Sequence, residues 1–98
     1  MHVITRRTLK EFAAGHKAAE KSLDSWYRVA KKARWQSIAE VKENYPHADA
    51  VGRCTVFNVG GNKYRLVVKI EYKLQTIFIK RVLTHAEYDT GEWKNDCS

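Results

Sequence analysis

The chain has 98 residues, 44% of them hydrophobic and 11% aromatic, enough for one modest core in one domain and too apolar for a disordered chain. Eighteen Lys and Arg against 11 Asp and Glu give a formal charge of +7, which favours a polyanionic partner. No apolar run approaches the roughly 20 residues of a membrane span, and the opening "MHVITRRTLK" puts its charges after its apolar residues, the wrong order for a secretory signal, so a cytoplasmic protein is expected.

Along the chain, "HVIT" is a short β-like start. "TLKE" (Thr8 to Glu11) has the spacing of a capping box and predicts a helix that ends near Gly15. A second helix is expected over 18–33, where Leu23, Trp26, Tyr27, Ala30 and Ala33 recur at helical spacing and form a core stripe. Trp35 is read as a buried plug. "SIAE" (Ser37 to Glu40) is a second capping-box pattern, opening a short helix that stops before Tyr45-Pro46.

After Pro46 the period changes. An edge strand falls between Pro46 and Gly52, and "CTVFNV" (Cys54 to Val59) is rich in β-formers. "GGN" (Gly60 to Asn62) suits a hairpin turn, and the strand over 63–72 places Tyr64, Leu66, Val68 and Ile70 on one side and Arg65, Val67, Lys69 and Glu71 on the other. "TIFIKRVL" is a third strand, over 76–83. The order predicts an α+β fold: a short strand and two to three helices on one face of an antiparallel sheet of three or more strands. Arg65 and Lys69 then point to solvent from the opposite face. The acidic tail, about 90–98, either stays mobile or folds back over the cations.

Cys54 lies in a predicted strand and Cys97 in the tail, and no disulfide is expected between them. No Cys, His or carboxylate spacing suggests a metal site, and no cofactor motif is present. His2, His16 and His47 are read as surface residues.

The residues able to carry chemistry gather late in the chain. Arg65 and Lys69, four apart on a strand, lie roughly 13 Å apart and suit two phosphates, although a solvated face with paired acids is the competing reading. Arg81, His85 and Tyr88 follow. A histidine moves protons near neutral pH, an arginine stabilises phosphate charge, and a tyrosine stacks a base or moves a proton. Three function classes fit this pattern: an endoribonuclease, a non-catalytic RNA-binding or ribosome-associated module, and a cationic groove for an acidic protein.

"VFNVGGNKYRLVVKI" and "THAEYD", after a start like "MHVITRRTLKEF" and a helix with Trp26, Tyr27, Lys31, Lys32 and Trp35, resemble the HigB group of type II toxins in the RelE-like superfamily. The resemblance spans nearly the whole chain. It implies an mRNA interferase that cuts mRNA in the ribosomal A site by metal-independent attack of the 2′-hydroxyl. It also implies a HigA-type antitoxin with a helix-turn-helix domain, through which alone operator DNA is engaged, and no membrane partner. It assigns Arg65 to the scissile phosphate, His85 to acid or phosphate-ligand duty, and Tyr88 to stacking or proton transfer. Asn58, Lys63, Lys69, Lys80 and Arg81 are expected to bind RNA. Some relatives carry lysines where this chain has Val56 and Asn58, which leaves the general base unassigned.

Overall fold

The computed structural model describes residues 1–98. The chain runs β1 (His2–Ile4), α1 (Arg6–Gly15), α2 (Lys17–Lys32), α3 (Ile38–Asn44), β2 (Asp49–Val51), β3 (Cys54–Val59), β4 (Tyr64–Glu71), β5 (Thr76–Thr84) and α4 (His85–Thr90), and closes in a 3₁₀ helix (Glu92–Cys97). The five strands form one sheet in the order β1-β5-β4-β3-β2, with β1 parallel to β5 and every other pair antiparallel. This is the α+β architecture that the pattern implies, with the segment between Pro46 and Gly52 supplying the edge strand β2.

The main core lies between the helices and one sheet face. Ala19, Leu23, Trp26 and Ala30 of α2 are buried with Phe57, Leu66, Val68, Ile77 and Ile79. Trp26 meets Phe57 edge-on at 5.4 Å, and Trp35 stacks on the same ring at 6.2 Å with its indole N–H donating to Asn44 Oδ1. The Met1 ammonium donates to the carbonyls of Ala30, Lys31 and Ala33, at 3.1, 2.9 and 2.7 Å, so a positive charge meets the negative end of α2.

Three local expectations change. Helix α1 begins at Arg6, because Thr5 takes a left-handed conformation (φ 72°) and turns the chain early; Thr8 sits inside the first turn and caps nothing. Ser37 is the residue before α3, but its hydroxyl makes no capping bond. The expected free thiols are instead joined, Cys54 to Cys97 across 43 positions of sequence.

The second sheet face also departs from an open cationic surface. Cys54, Val56, Val67 and Leu83 are buried there under Trp93 and Cys97, with Tyr88 and Val51 packed alongside. Val56, Val67 and Leu83 would otherwise put a contiguous apolar patch in water, and the C-terminal segment removes it. The tail is pinned at its end: the Arg53 N–H donates to the Cys97 carbonyl at 2.7 Å, and a Cβ at Gly52 (φ 58°) would run into that carbonyl.

A β-bulge re-aims the middle of β5. Val67 faces Arg81 while Val68 faces Ile79, so Lys80 has no opposite number. Ile77 and Ile79 therefore enter the main core, and after the extra residue Val82 does so again, leaving Arg81 and Leu83 on the second face.

Candidate active site

The site is assembled where the β3–β4 hairpin meets the end of β5. In that register Tyr64 pairs with Thr84, and Arg65 lies between Asn58 and Leu83. At Thr84 the strand stops and α4 starts, because "THAE" forms a complete capping box. The Thr84 hydroxyl accepts from the Glu87 N–H at 3.2 Å, and the Glu87 carboxylate accepts from the Thr84 N–H at 2.9 Å. These bonds hold the Glu87 carboxyl below its ordinary pKa of 4.5, the Thr84 amide first and the hydroxyl second, with smaller help from His16 and Arg81. The His85 N–H donates to the Lys63 carbonyl at 3.2 Å and ties the first residue of α4 to the hairpin turn. Gly91, in the left-handed region at φ 74°, ends the helix.

Arg65 is clasped from below. One guanidinium nitrogen donates to the carbonyls of Asn62 at 2.8 Å and Tyr64 at 3.1 Å. The guanidinium also rests against the Tyr88 ring, with 5.2 Å from Cζ to the ring centroid. Tyr88 in turn stacks on Trp93 at 5.0 Å, and the Trp93 indole N–H donates to the Tyr88 carbonyl at 2.9 Å. Guanidinium, phenol and indole thus form one pile whose base is the second core. Arg65 makes no ion pair, so its charge is available to an incoming anion. His85 lies three residues before Tyr88, on the same flank of a six-residue helix, exposed, with its Nδ1 3.0 Å from Asp89 Oδ2.

Arg65 and Tyr88 are therefore in contact, and His85 stands one turn away. Lys63 is exposed at the hairpin, its carbonyl holding His85, and Asn58 is directly opposite Arg65. The other expected RNA-binding residues are not gathered here. Lys69 is four residues further along β4 and pairs with Glu71 at 3.2 Å. Arg81 pairs with Asp96 of the tail at 2.7 Å, and Lys80 stands exposed at the bulge.

Three residues at or beside this site escape a reading of the sequence by period alone. His16, read as a surface residue, is half-buried: its ring stacks on Phe12 at 4.0 Å and meets the edge of Tyr64 at 5.7 Å, at the end of the sheet where Tyr64 faces Thr84. Trp93 supports Tyr88, and Asp89 partners His85. The capping-box spacing from Thr84 to Glu87 was a usable signal for α4, and a helix there puts residues 85, 88 and 89 on one flank. His16 and Trp93 had no such signal, because their partners are distant in sequence.

Residues 19–91 match the family described as HigB toxin, the RelE-like toxic component of a toxin–antitoxin system. The mRNA interferase toxin HigB of Escherichia coli K12 is 32% identical over 92 residues, covering 91% of this chain and 88% of that protein. The mRNA interferase HigB of Escherichia coli O6:H1 strain CFT073 is 30% identical over 92 residues, covering 91% and 89%. The Shigella flexneri mRNA interferase HigB is 32% identical over the same length. A match across three quarters of the chain by family and nine tenths by relatives, on the fold and residues described above, makes the chain a member of the HigB family of RelE-like toxins.

Proposed function

We propose that this toxin is an endoribonuclease that cleaves mRNA, and that the β3–β4 hairpin together with α4 is its active site. The observation that carries the assignment is the unpaired Arg65 guanidinium, held by two carbonyls and resting against the Tyr88 ring, with His85 one helical turn away. A fixed, unneutralised guanidinium is suited to a phosphate whose charge grows in the transition state. His85 and Lys63 are exposed and Arg65 and Tyr88 partly so, which leaves the site open to a polymer.

The chemistry follows the metal-independent route of the family resemblance. Arg65 holds the scissile phosphate. The neighbouring 2′-hydroxyl loses its proton to a base and its oxygen bonds to phosphorus; the bond from phosphorus to the 5′-oxygen breaks. The leaving oxygen takes a proton from the Tyr88 hydroxyl. The products are a 2′,3′-cyclic phosphate and a 5′-hydroxyl. Tyr88 also offers a face on which a base stacks. Asn58, Lys63, Lys69, Lys80 and Arg81 form the wider phosphate track, Lys69 and Arg81 only after Glu71 and Asp96 give them up. The substrate is mRNA in the ribosomal A site, the compartment is the cytoplasm, and a HigA-type helix-turn-helix antitoxin neutralises the toxin and reads operator DNA for the pair.

The test is purified protein in a translating extract, with cuts mapped by primer extension. Wild type produces discrete cuts. Arg65→Ala lowers the cleavage rate about 10²–10³-fold, and His85→Gln abolishes cutting while RNA affinity stays near wild type. Wild-type rates in Arg65→Ala refute the assigned site. Absence of cuts by wild type, with RNA still bound, replaces the enzyme with a non-catalytic RNA-binding module.

A further inference from the structure

Helix α4 carries two carboxylates on its capping-box and His85 flanks, and they have different employment. Glu87 is committed to the Thr84 N–H. Asp89, four residues after His85, places its Oδ2 3.0 Å from the imidazole Nδ1. A carboxylate only accepts, so the shared hydrogen resides on Nδ1. In the neutral ring the other nitrogen, Nε2, is then bare and able to accept a proton. As an exposed pair one turn apart, Asp89 and His85 add little to stability. The consequence of the contact falls on the ring: its tautomer and its orientation are fixed by a helix that is itself capped at Thr84 and tied to Lys63.

We infer that Asp89 is the positioning residue that makes His85 the general base, holding the imidazole with Nε2 bare toward the 2′-hydroxyl. The role rests on the endoribonuclease reading of this site. In the step, the 2′-oxygen–hydrogen bond breaks and the proton joins Nε2, while the 2′-oxygen bonds to phosphorus and the 5′-oxygen departs. The imidazolium then carries its new charge beside the Asp89 carboxylate, which offsets it. Asp89 itself touches neither phosphate nor ribose; it acts through His85.

The experiment pairs a spectroscopic measurement with kinetics. Long-range ¹H–¹⁵N spectra of the neutral His85 ring, assigned by comparison with His85→Gln, report which nitrogen bears hydrogen. The wild type is expected to show Nδ1–H and bare Nε2, Asp89→Ala to lose that preference, and Asp89→Glu to keep it. In the translating extract, with mRNA-loaded ribosomes varied, Asp89→Ala lowers kcat roughly tenfold or more with KM within about twofold, and Asp89→Glu recovers most of the rate. A wild-type ring with hydrogen on Nε2 overturns the inference, and so does wild-type kcat in Asp89→Ala. Should the wild type show the expected tautomer yet leave mRNA uncut, the endoribonuclease reading is what fails, and the catalytic part of the inference falls with it. Circular dichroism of both Asp89 variants separates a lost fold from a lost role.

Discussion

Reducing the Cys54–Cys97 link probes the largest departure from the sequence-based expectation. The link joins β3 to the last turn of the chain and closes a loop across 43 positions, so it encircles β4, β5 and α4. In the chain-entropy account, freeing a loop of that length from the denatured state costs the fold about 4 kcal/mol at 25 °C. That is a large share of the roughly 5–15 kcal/mol that holds a typical domain together. For a chain of this size, about 4 kcal/mol corresponds to a fall in Tm on the order of 20 °C. The assay is urea unfolding followed by tryptophan fluorescence, with and without a dithiol reductant, and with Cys97→Ser. Trp26 and Trp35 report the main core and Trp93 the second one. The reduced wild type and Cys97→Ser should unfold at matching, lower urea concentrations. If oxidised and reduced proteins differ by less than about 1 kcal/mol, the link does not hold the tail to the sheet, and the burial of Trp93 alone secures it.

Other outcomes follow from the same packing. Trp93→Ala removes a fully buried indole from the second core and should cost about 3–5 kcal/mol, with cleavage falling as well because Tyr88 loses the ring it stacks on. Thr84→Ala removes the α4 cap and should cost about 1 kcal/mol, read in the same urea titration. Because the Glu87 carboxyl is more acidic in the folded chain than its ordinary 4.5, its stabilisation of α4 is complete above that pH and is lost as pH falls through the lower folded value. Glu87→Gln should remove this acid-sensitive step from a plot of stability against pH, and a step unchanged in the variant counts against the capping account. Lys69→Ala, which breaks only a half-exposed pair with Glu71, should change stability by less than about 1 kcal/mol and affect cleavage far less than Arg65→Ala.

The helices and strands were legible because their periods were intact. Leu23, Trp26 and Ala30 face one core at helical spacing, and Leu66 and Val68 meet them from a strand of period two. The bulge at Lys80 left a trace too: Ile77 and Ile79 are two apart, but the next buried apolar residue, Val82, comes three later. What period could not convey was the cover on the second sheet face. Val67 alternates with Arg65 and Lys69, and in a strand read alone that company suggests solvent. Only closure of the tail, through Trp93 and Cys97, reveals Val67 as core. Likewise Thr84 to Glu87 carried a capping signal, while the true start of α1 depended on the left-handed turn at Thr5, a residue type that rarely adopts one.

That closure changes what the candidate site depends on. A sheet face could present Arg65 by itself, but it supplies neither the phenol nor the imidazole. Both come from α4, whose six residues form too short a helix to persist alone in water. The helix exists because three constraints meet on it: the capping box at Thr84, the bond from His85 to Lys63, and the Trp93 stack beneath Tyr88. Two of them act at its start and the third on Tyr88, so weakening one lets α4 shift against Arg65 without unfolding the sheet. Variants at Trp93 or Thr84 should therefore lose cleavage more steeply than they lose global stability. Arg65→Ala, by contrast, should leave the urea midpoint nearly unchanged while lowering the rate about 10²–10³-fold. If Trp93→Ala instead kept full cleavage in the folded fraction, α4 would not owe its placement to the tail, and the chemistry would have to be sought on the sheet alone.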